Sequence, residues 1–260
     1  MGAMNIPKFA FAVACGLSGS AISPAFAEDL TIVYKATEAM VSAQYLSSMR
    51  TRRDRGPYRT SSNAVMGPYS DIVDMVLGKY ITINHQKREY WEATPQEREA
   101  AAVLAQEKSN EARAKLKETY AKMGKEPPFE VDAQESASLE KLPDHRTIAR
   151  YSCDHYVITL THSLNDRVLS VTTYNYWVAP DLRDPSLVAS DSFGSQTKIE
   201  GLGAEFVRLE RKMNDQGVPL AFTLTTSGFA GSSEAIEVKK GPIDPSVFLV
   251  PAGYIKARMP

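Results

Sequence analysis

The chain has 260 residues, 43% hydrophobic and 23% charged, and its 30 Lys and Arg residues nearly balance 31 Asp and Glu residues. The formal net charge of −1 at pH 7 does not favour a nucleic-acid partner, which would attract a clustered positive charge. The length is sufficient for one β-rich domain with a buried core, or for two smaller domains.

Residues 1–27 have the layout of a secretory signal peptide. One cation, Lys8, precedes an apolar run, and small residues end at Ala27 in an A-x-A cleavage pattern. The apolar run is only about 14 residues long, which is too short for a spanning helix. We therefore expect cleavage after Ala27 and a periplasmic or secreted protein, residues 28–260, with no transmembrane segment.

The two cysteines bear on this expectation in different ways. Cys15 follows "AVA", so lipidation of Cys15 is an alternative, but this box lacks the usual Leu and a better cleavage site follows it. Removal of residues 1–27 leaves Cys153 as the single cysteine, so no internal disulfide forms in an oxidising compartment. Stability must then come from a packed core.

Residues 29–93 read as consecutive β-hairpins. Short β-type runs are separated by turn formers such as "RDRGP" and "MGPYS" and by Gly78. The runs are "LTIVYKA", "VSAQYLSS", "DIVDMVL", "KYITINH" and "REYWEA". In the first of them apolar and polar side chains alternate, which is typical of a half-buried sheet.

A long charged helix is predicted over residues 95–123. Thr94 and Glu97 form a capping box, Pro95 occupies the first helical position, and Gly124 follows the last turn. Its large apolar residues are too sparse for a wide stripe, so the helix is expected to face water as an arm or a lid. Residues 125–146 are predicted to be a polar linker.

Strands are predicted again from residue 147 onward, interrupted by one short helix. "TIARYSCDHYVITLTH", "VLSVTTYNYWVAP", "VPLAFTLTT" and "EAIEVKK" have strand character. Between them, Phe206, Leu209 and Met213 recur at helical spacing and Gly217 provides a stop, which predicts an amphipathic helix over residues 202–215.

Cys153 and His155 raise the question of a catalytic pair. Side chains alternate along a strand, so the two share one face, whereas His162 points to the other side and cannot share a metal with His155. A cysteine nucleophile also needs a group that orients the histidine and an oxyanion hole, and neither is visible here. The pattern favours a small buried cysteine beside a hydrogen-bonded histidine.

Other signatures of catalysis or metal binding are also missing from the sequence. It contains no G-x-S-x-G, H-E-x-x-H or C-x-x-C motif and no phosphate-binding glycine loop. His85 and His145 are isolated, whereas metal sites need clustered ligands. We therefore expect no enzyme activity, no cofactor and no metal.

Aromatic residues are frequent in the predicted strands. Most are expected to serve core and cross-strand packing, but a curved sheet can also hold some of them in an apolar cavity. The residues predicted to bind a hydrophobic ligand in such a cavity are Tyr34, Trp91, Tyr176, Trp177 and Phe222.

Three passages resemble a family of exported bacterial proteins that is known only as a domain of unknown function. They are "GKYITINHQKREYWEATPQE", "IARYSCDHYVITL" followed by "YNYWVAPDL", and "GVPLAFTLTT" followed by "VKKGPIDPSVFLVPAGYIKA". That family is similar in fold to the Lol-type periplasmic lipoprotein carriers. The resemblance implies a strongly bent antiparallel sheet with helices on its concave side, able to shelter acyl chains.

These observations predict an α+β protein in which residues 28–260 form a single domain. The expected function is non-catalytic binding of a hydrophobic ligand, either a lipid or a lipidated protein, in the concavity of a bent sheet. The alternative is an envelope protein-protein interaction module whose core is filled by its own side chains and whose helix 95–123 contacts a partner.

Overall fold

The computed structural model describes residues 28–37, 41–59, 65–125, 134–164, 167–184, 204–227 and 229–258. The predicted signal peptide lies outside these ranges. Fourteen strands are present in the described part of the chain: β1 Leu30–Ala36, β2 Val41–Leu46, β3 Arg50–Arg55, β4 Tyr58–Arg59, β5 Val65–Met66, β6 Tyr69–Asp74, β7 Lys79–Asn84, β8 Glu89–Ala93, β9 Gln134–Ile148, β10 Tyr151–Leu164, β11 Arg167–Ala179, β12 Val218–Thr226, β13 Phe229–Lys240 and β14 Ile255–Lys256. The described residues also form two α-helices, α1 Pro95–Lys122 and α2 Ala204–Asn214.

Twelve strands form one open sheet in the order β14-β8-β7-β6-β3-β2-β1-β13-β12-β11-β10-β9, and β4 pairs with β5 separately. All neighbours in the large sheet are antiparallel except β14 and β8, which are parallel. Strand β1 lies in the middle of this sheet. The strands that follow it in the chain, from β2 to β8, form one half, and strands β9 to β13 form the other half, in which β13 pairs with β1. The predicted combination of a large antiparallel sheet with few helices is confirmed.

Helix α1 begins as the sequence predicts. Thr94 accepts a hydrogen bond from the backbone N–H of Glu97, and the Glu97 side chain accepts one from the backbone N–H of Thr94. Most of its described side chains are exposed, as expected for a helix without an apolar stripe. It contacts β8, and the Arg98 guanidinium lies 4.2 Å from the centre of the Tyr80 ring.

Helix α2 packs on strands β9 and β10. Leu209 and Met213, one turn apart, are buried against Tyr156, Ile158 and other side chains of the sheet. Gly217 then leads into β12 with φ +158°, and a Cβ there would lie 2.3 Å from the carbonyl oxygen of Ala179. Only glycine fits so close an approach.

The C-terminal segment, residues 243–254, packs on one face of the sheet. Arg52 of β3 projects from this face, and its neighbour Arg53 projects from the other. Phe248 is buried against Ile72 of β6 and against Ile81 and Ile83 of β7. Arg52 donates from Nη1 to the carbonyl oxygen of Val247 over 2.7 Å. The C-terminal segment therefore packs against the half of the sheet that contains β3, β6 and β7.

The structure corrects the predicted connections at two places. "RDRGP" was predicted as a turn, but Arg53–Arg55 belong to β3. Residues 134–146 were predicted as linker but form most of β9, and residues 126–133 lie outside the described residues. Pro143 is compatible with this edge strand because the pairing with β10 shifts at that point.

A third difference lies in the run from residue 147 to 162, which is two strands and not one. Ala149 and Arg150 have φ of 45° and 72° and form a two-residue turn between β9 and β10. Such turns normally carry Asn-Gly or related pairs, so this turn has no recognisable sequence signal.

Candidate functional site

A cavity of about 310 Å³ lies between the sheet and helix α2. Its lining comes from six strands and the helix and combines aromatic, charged and small polar side chains. The lining residues are Tyr34, Val41, Gln44, Arg53, Arg55, Tyr174, Tyr176, Phe206, Glu210, Asn214, Pro219, Ala221, Phe222 and Ser233. The volume lies at the lower end of the range for small-molecule sites.

One wall of the cavity is aromatic. Tyr174 and Tyr176 alternate along β11 and therefore project from one face, and Tyr176 pairs with Phe222 on β12. The ring centres of Tyr176 and Phe222 are 4.8 Å apart, and those of Tyr174 and Phe206 are 4.4 Å apart. Phe206 comes from α2, so the helix and the sheet build this wall together.

Another part of the lining carries positive charge. Arg53 and Arg55 are two residues apart on β3, so both project from the same face. Arg53 is half-buried and Arg55 is exposed. The Nε of Arg55 lies 3.5 Å from Oδ2 of Asp71, in an ion pair whose side chains are 46% and 40% exposed.

Two tyrosine hydroxyls place further polar groups at the cavity. The Tyr34 hydroxyl lies 3.2 Å from Oε1 of Gln44 and 3.0 Å from the carbonyl oxygen of Pro219. The Tyr176 hydroxyl donates to Oε1 of Glu210 over 3.1 Å. Burial raises the pKa of Tyr176 well above its ordinary value, and the charge of Glu210 raises it further. Tyr176 is therefore a neutral hydrogen-bond donor at physiological pH.

Three of the five residues predicted to bind a ligand line this cavity, namely Tyr34, Tyr176 and Phe222. Trp91 and Trp177 lie elsewhere. Trp91 is on β8 and makes an edge contact with Tyr69, with ring centres 6.4 Å apart.

Trp177 belongs to a polar stack on the other face of β11 from Tyr176. His155 stacks on the Trp177 ring at 4.2 Å, and the Arg146 guanidinium lies 5.4 Å from the centre of that ring. The two ring nitrogens of His155 lie 2.9 Å from Asp144 and 3.1 Å from Asn175. The histidine is thus held by its neighbours in the sheet.

Cys153 is completely buried and lies in the core cluster that includes Ile148 and Ala179. Burial raises the pKa of its thiol to about 11, so the thiol stays protonated at neutral pH. His155 shares its face of β10 but directs both ring nitrogens to Asp144 and Asn175.

The two histidines that were predicted to be isolated have polar partners. Nε2 of His85 lies 2.6 Å from the hydroxyl oxygen of Ser70, and Nδ1 of His145 lies 2.9 Å from Oδ1 of Asp154. Within the described ranges, no group of three or more His, Cys, Asp or Glu side chains is placed to hold a metal ion. In the same ranges, no helix has both the length and the apolar character needed to cross a bilayer.

The sequence analysis missed the charged wall of the cavity. Arg53 and Arg55 fell in a segment predicted as a turn, and Glu210 lies on the predicted helix without a motif that marks it. Strand β3 has no alternation of apolar and polar residues, because Arg53 and Arg55 on one face and Arg52 and Asp54 on the other are all charged. The sequence therefore shows no strand signal at this point.

The comparison with protein families gives one match. The model of a domain of unknown function, DUF4412, matches residues 110–254, which is more than half of the chain. This range includes α2 and the aromatic wall on β11 and β12, whereas Tyr34, Gln44 and the arginines of β3 precede it. No curated protein matches the chain. The predicted membership of a family known only as a domain of unknown function is confirmed, while the likeness in fold to Lol-type carriers stays a prediction. The chain belongs to the DUF4412 family.

Proposed function

We propose that the protein is a non-catalytic, exported binding protein that holds a hydrophobic ligand, a lipid or a lipidated partner, in the cavity between its sheet and α2. The observation that carries this proposal is the cavity itself, about 310 Å³ in volume, with an aromatic wall of Tyr174, Tyr176, Phe206 and Phe222. Contact with such a wall removes apolar surface from water, at about 25 cal/mol per Å² before the costs of association.

The composition of the cavity lining supports a bent, carrier-like sheet. Arg53 on β3 and Tyr176 on β11 line the same cavity, although β2, β1, β13 and β12 lie between their strands. At a strand spacing of about 4.8 Å, the two strands would be roughly 24 Å apart in a flat sheet. A sheet that bends around the cavity accounts for their approach, as in the half-barrel expected from the similarity to Lol-type carriers.

The chemistry of the described residues also favours binding over catalysis. The buried, protonated Cys153 is a poor nucleophile because the thiolate is the reactive form. The Tyr176 hydroxyl and the Glu210 carboxylate, both at the cavity, hydrogen bond to each other. Export to the periplasm or the medium is proposed from the signal-peptide pattern of residues 1–27.

The test is direct detection of the ligand. The protein is purified without detergent from its native host, and bound lipids are extracted and identified by mass spectrometry. We expect an acyl-chain species at close to one per protein and uptake of a fluorescent fatty acid. A protein that carries no lipid and takes up none would contradict the proposal.

Variants sharpen this test because the predicted ligand residues fall in two groups. Phe222→Asp places a charge in the aromatic wall and should abolish retention, while secretion is unchanged. Trp91→Asp changes an aromatic residue outside the cavity and should retain the ligand. Equal loss in both variants would show that retention does not depend on the cavity.

A second candidate is the interaction module, and the exposure of α1 favours it. Val103, Leu104 and Met123 expose 54%, 50% and 52% of their surface around this 28-residue charged helix. In this case, a photo-crosslinking amino acid at Leu104 should capture one partner in the envelope, whereas the same group at Lys212, an exposed residue of α2, should not.

A further inference from the structure

The cavity has a charge asymmetry that an exclusively apolar ligand would not use. Its aromatic wall comes from β11, β12 and α2, and strand β3 contributes two guanidinium groups, Arg53 and Arg55. One acidic side chain, Glu210, also lines the cavity, so the charged lining residues carry a net charge of about +1. We propose that the ligand is a single-chain anionic amphiphile whose head group binds at Arg53 and Arg55, an inference that rests on the proposed function.

A ligand can compete with Asp71 for the Arg55 side chain. Its ion pair with Asp71 has a separation of 3.5 Å and both side chains are about half exposed. Exposed pairs of this kind contribute little free energy because water solvates both charges. An anionic head group beside Arg55 can therefore replace or share this contact at little cost.

Arg53 lies further inside, where a charge pair is screened less by water. It is half-buried, and its cross-strand neighbour on β2 is the buried Gln44. A guanidinium presents several N–H donors in one plane and matches the two oxygens of a carboxylate or the oxygens of a phosphate. Two arginines at alternate positions of one strand offer such donors at two depths along the cavity.

The one acidic side chain of the lining, Glu210, opposes an anionic head group, but it carries one negative charge against the two positive charges of Arg53 and Arg55. Glu210 lies on α2 and accepts a hydrogen bond from the buried Tyr176 hydroxyl. The chain of the ligand would then lie along the rings of Tyr174 and Phe222. The small volume favours one chain, because sites for larger ligands extend to roughly 1,000 Å³.

The test compares ligands with the same chain and different head groups. Decanoate, decyl phosphate and 1-decanol are titrated against the purified full-length mature protein loaded with the neutral dye N-phenyl-1-naphthylamine, at pH 7.5. We expect both anions to displace the dye at concentrations at least ~10-fold lower than 1-decanol does, since charge-assisted bonds are the strong ones. This advantage should shrink at high salt.

Arginine variants assign the effect to the cavity. Arg53→Gln and Arg55→Gln should each weaken binding of the anions about 10-fold and leave 1-decanol within about twofold. Arg183→Gln, at an exposed arginine outside the cavity, should change neither. Circular dichroism checks folding, and Arg55→Gln keeps the test valid if Arg53→Gln does not fold, because Arg55 is exposed.

The outcomes separate the two levels of the proposal. Equal affinity for anions and 1-decanol, unaffected by both substitutions, would overturn the anionic ligand and leave the hydrophobic cavity in place. Failure of the dye and of all three ligands to bind would overturn the proposed function as well. Preference for decyl phosphate over decanoate, or the reverse, identifies the head group within the anionic class.

Discussion

Cys153 shows how burial decides the chemistry of a single residue. Its side chain is fully buried and the pKa of the thiol is raised to about 11, so only about one thiol in a thousand is ionised at pH 8. We expect alkylation by iodoacetamide at pH 8 to be at least 100-fold slower in the native protein than in denaturant. Equal rates would show an accessible thiol and return the Cys153–His155 pair to consideration as a catalytic site.

Arg150 carries backbone strain that a substitution can relieve. It has φ of 72° in the turn between β9 and β10, a conformation that costs residues other than glycine about 1 kcal/mol. Its guanidinium also lies 5.6 Å from the centre of the Tyr151 ring, so Arg150→Gly loses a contact as well as strain. Arg150→Ala loses the same contact and keeps the strain.

The comparison of these two variants isolates the backbone effect. Chemical denaturation should give Arg150→Gly a free energy of unfolding about 1 kcal/mol higher than that of Arg150→Ala. A difference near zero would mean that this turn does not adopt left-handed backbone angles in solution.

His85 makes stability depend on pH. Burial and the positive charge of Arg52 lower its pKa below the ordinary value of 6.5, although Asp54 partly opposes this. Its ring nitrogens contact the hydroxyls of Ser70 and Tyr254. Below pH 6.5 the unfolded chain binds the proton more readily than the folded one, so stability falls as the pH falls through the unfolded pKa toward the lower folded pKa.

The variant His85→Gln keeps a polar side chain but removes this titration. Its free energy of unfolding should therefore fall less than that of the wild type between pH 7 and pH 5, measured by urea denaturation. His145, His155 and His162 are present in both proteins and cancel in the comparison. Identical pH profiles would remove His85 as a source of acid sensitivity.

At the scale of elements, helix α2 depends on two buried side chains for its position over the sheet. Met213 is fully buried and Leu209 nearly so, both against β10 and β11. Met213→Ala should lower the free energy of unfolding by about 2–5 kcal/mol, the usual cost of such a cavity. The exposed neighbour Lys212 is the control, and Lys212→Ala should change it by less than about 0.5 kcal/mol. Similar small effects from both would mean that α2 is not docked as described.

The elements that the sequence predicted well are those with strong local signals. Helix α1 has a capping box, and β1 and β12 have apolar alternation between clear turns. Strand β3 lacked this signal because one face carries the Arg52–Asp54 pair, 2.7 Å apart, and the other carries cavity arginines. Strand β9 is an exposed edge with a proline at a register shift, so its composition resembles that of a linker.

The cavity could be predicted only in part because it is assembled from distant parts of the chain. Phe222, Tyr176 and Tyr34 were identified from their aromatic side chains in strands. Their partners Arg53 and Glu210 meet only because β3, β11 and α2 converge. Trp91 and Trp177 have the same residue character, and local sequence cannot show that the sheet places them elsewhere.

At the scale of the whole molecule, the two faces of the sheet separate stability from binding. Phe248 in the C-terminal segment is buried on one face against β6 and β7, and Phe222 lines the cavity on the other. Phe248→Ala should lower the free energy of unfolding by about 3–5 kcal/mol. Because the segment does not line the cavity, the affinity of the folded protein for N-phenyl-1-naphthylamine should be unchanged.

Phe222→Ala is the converse variant and should weaken dye binding several-fold, since it removes part of the aromatic wall. Both affinities are measured at least 15 °C below each variant's melting temperature, so that the unfolded fraction is negligible. The milder Phe248→Leu, expected to cost less than about 1.5 kcal/mol, serves if Phe248→Ala does not fold. If Phe248→Leu weakened binding as much as Phe222→Ala, the C-terminal segment would have to control the shape of the cavity through the sheet, and the two faces would not be independent.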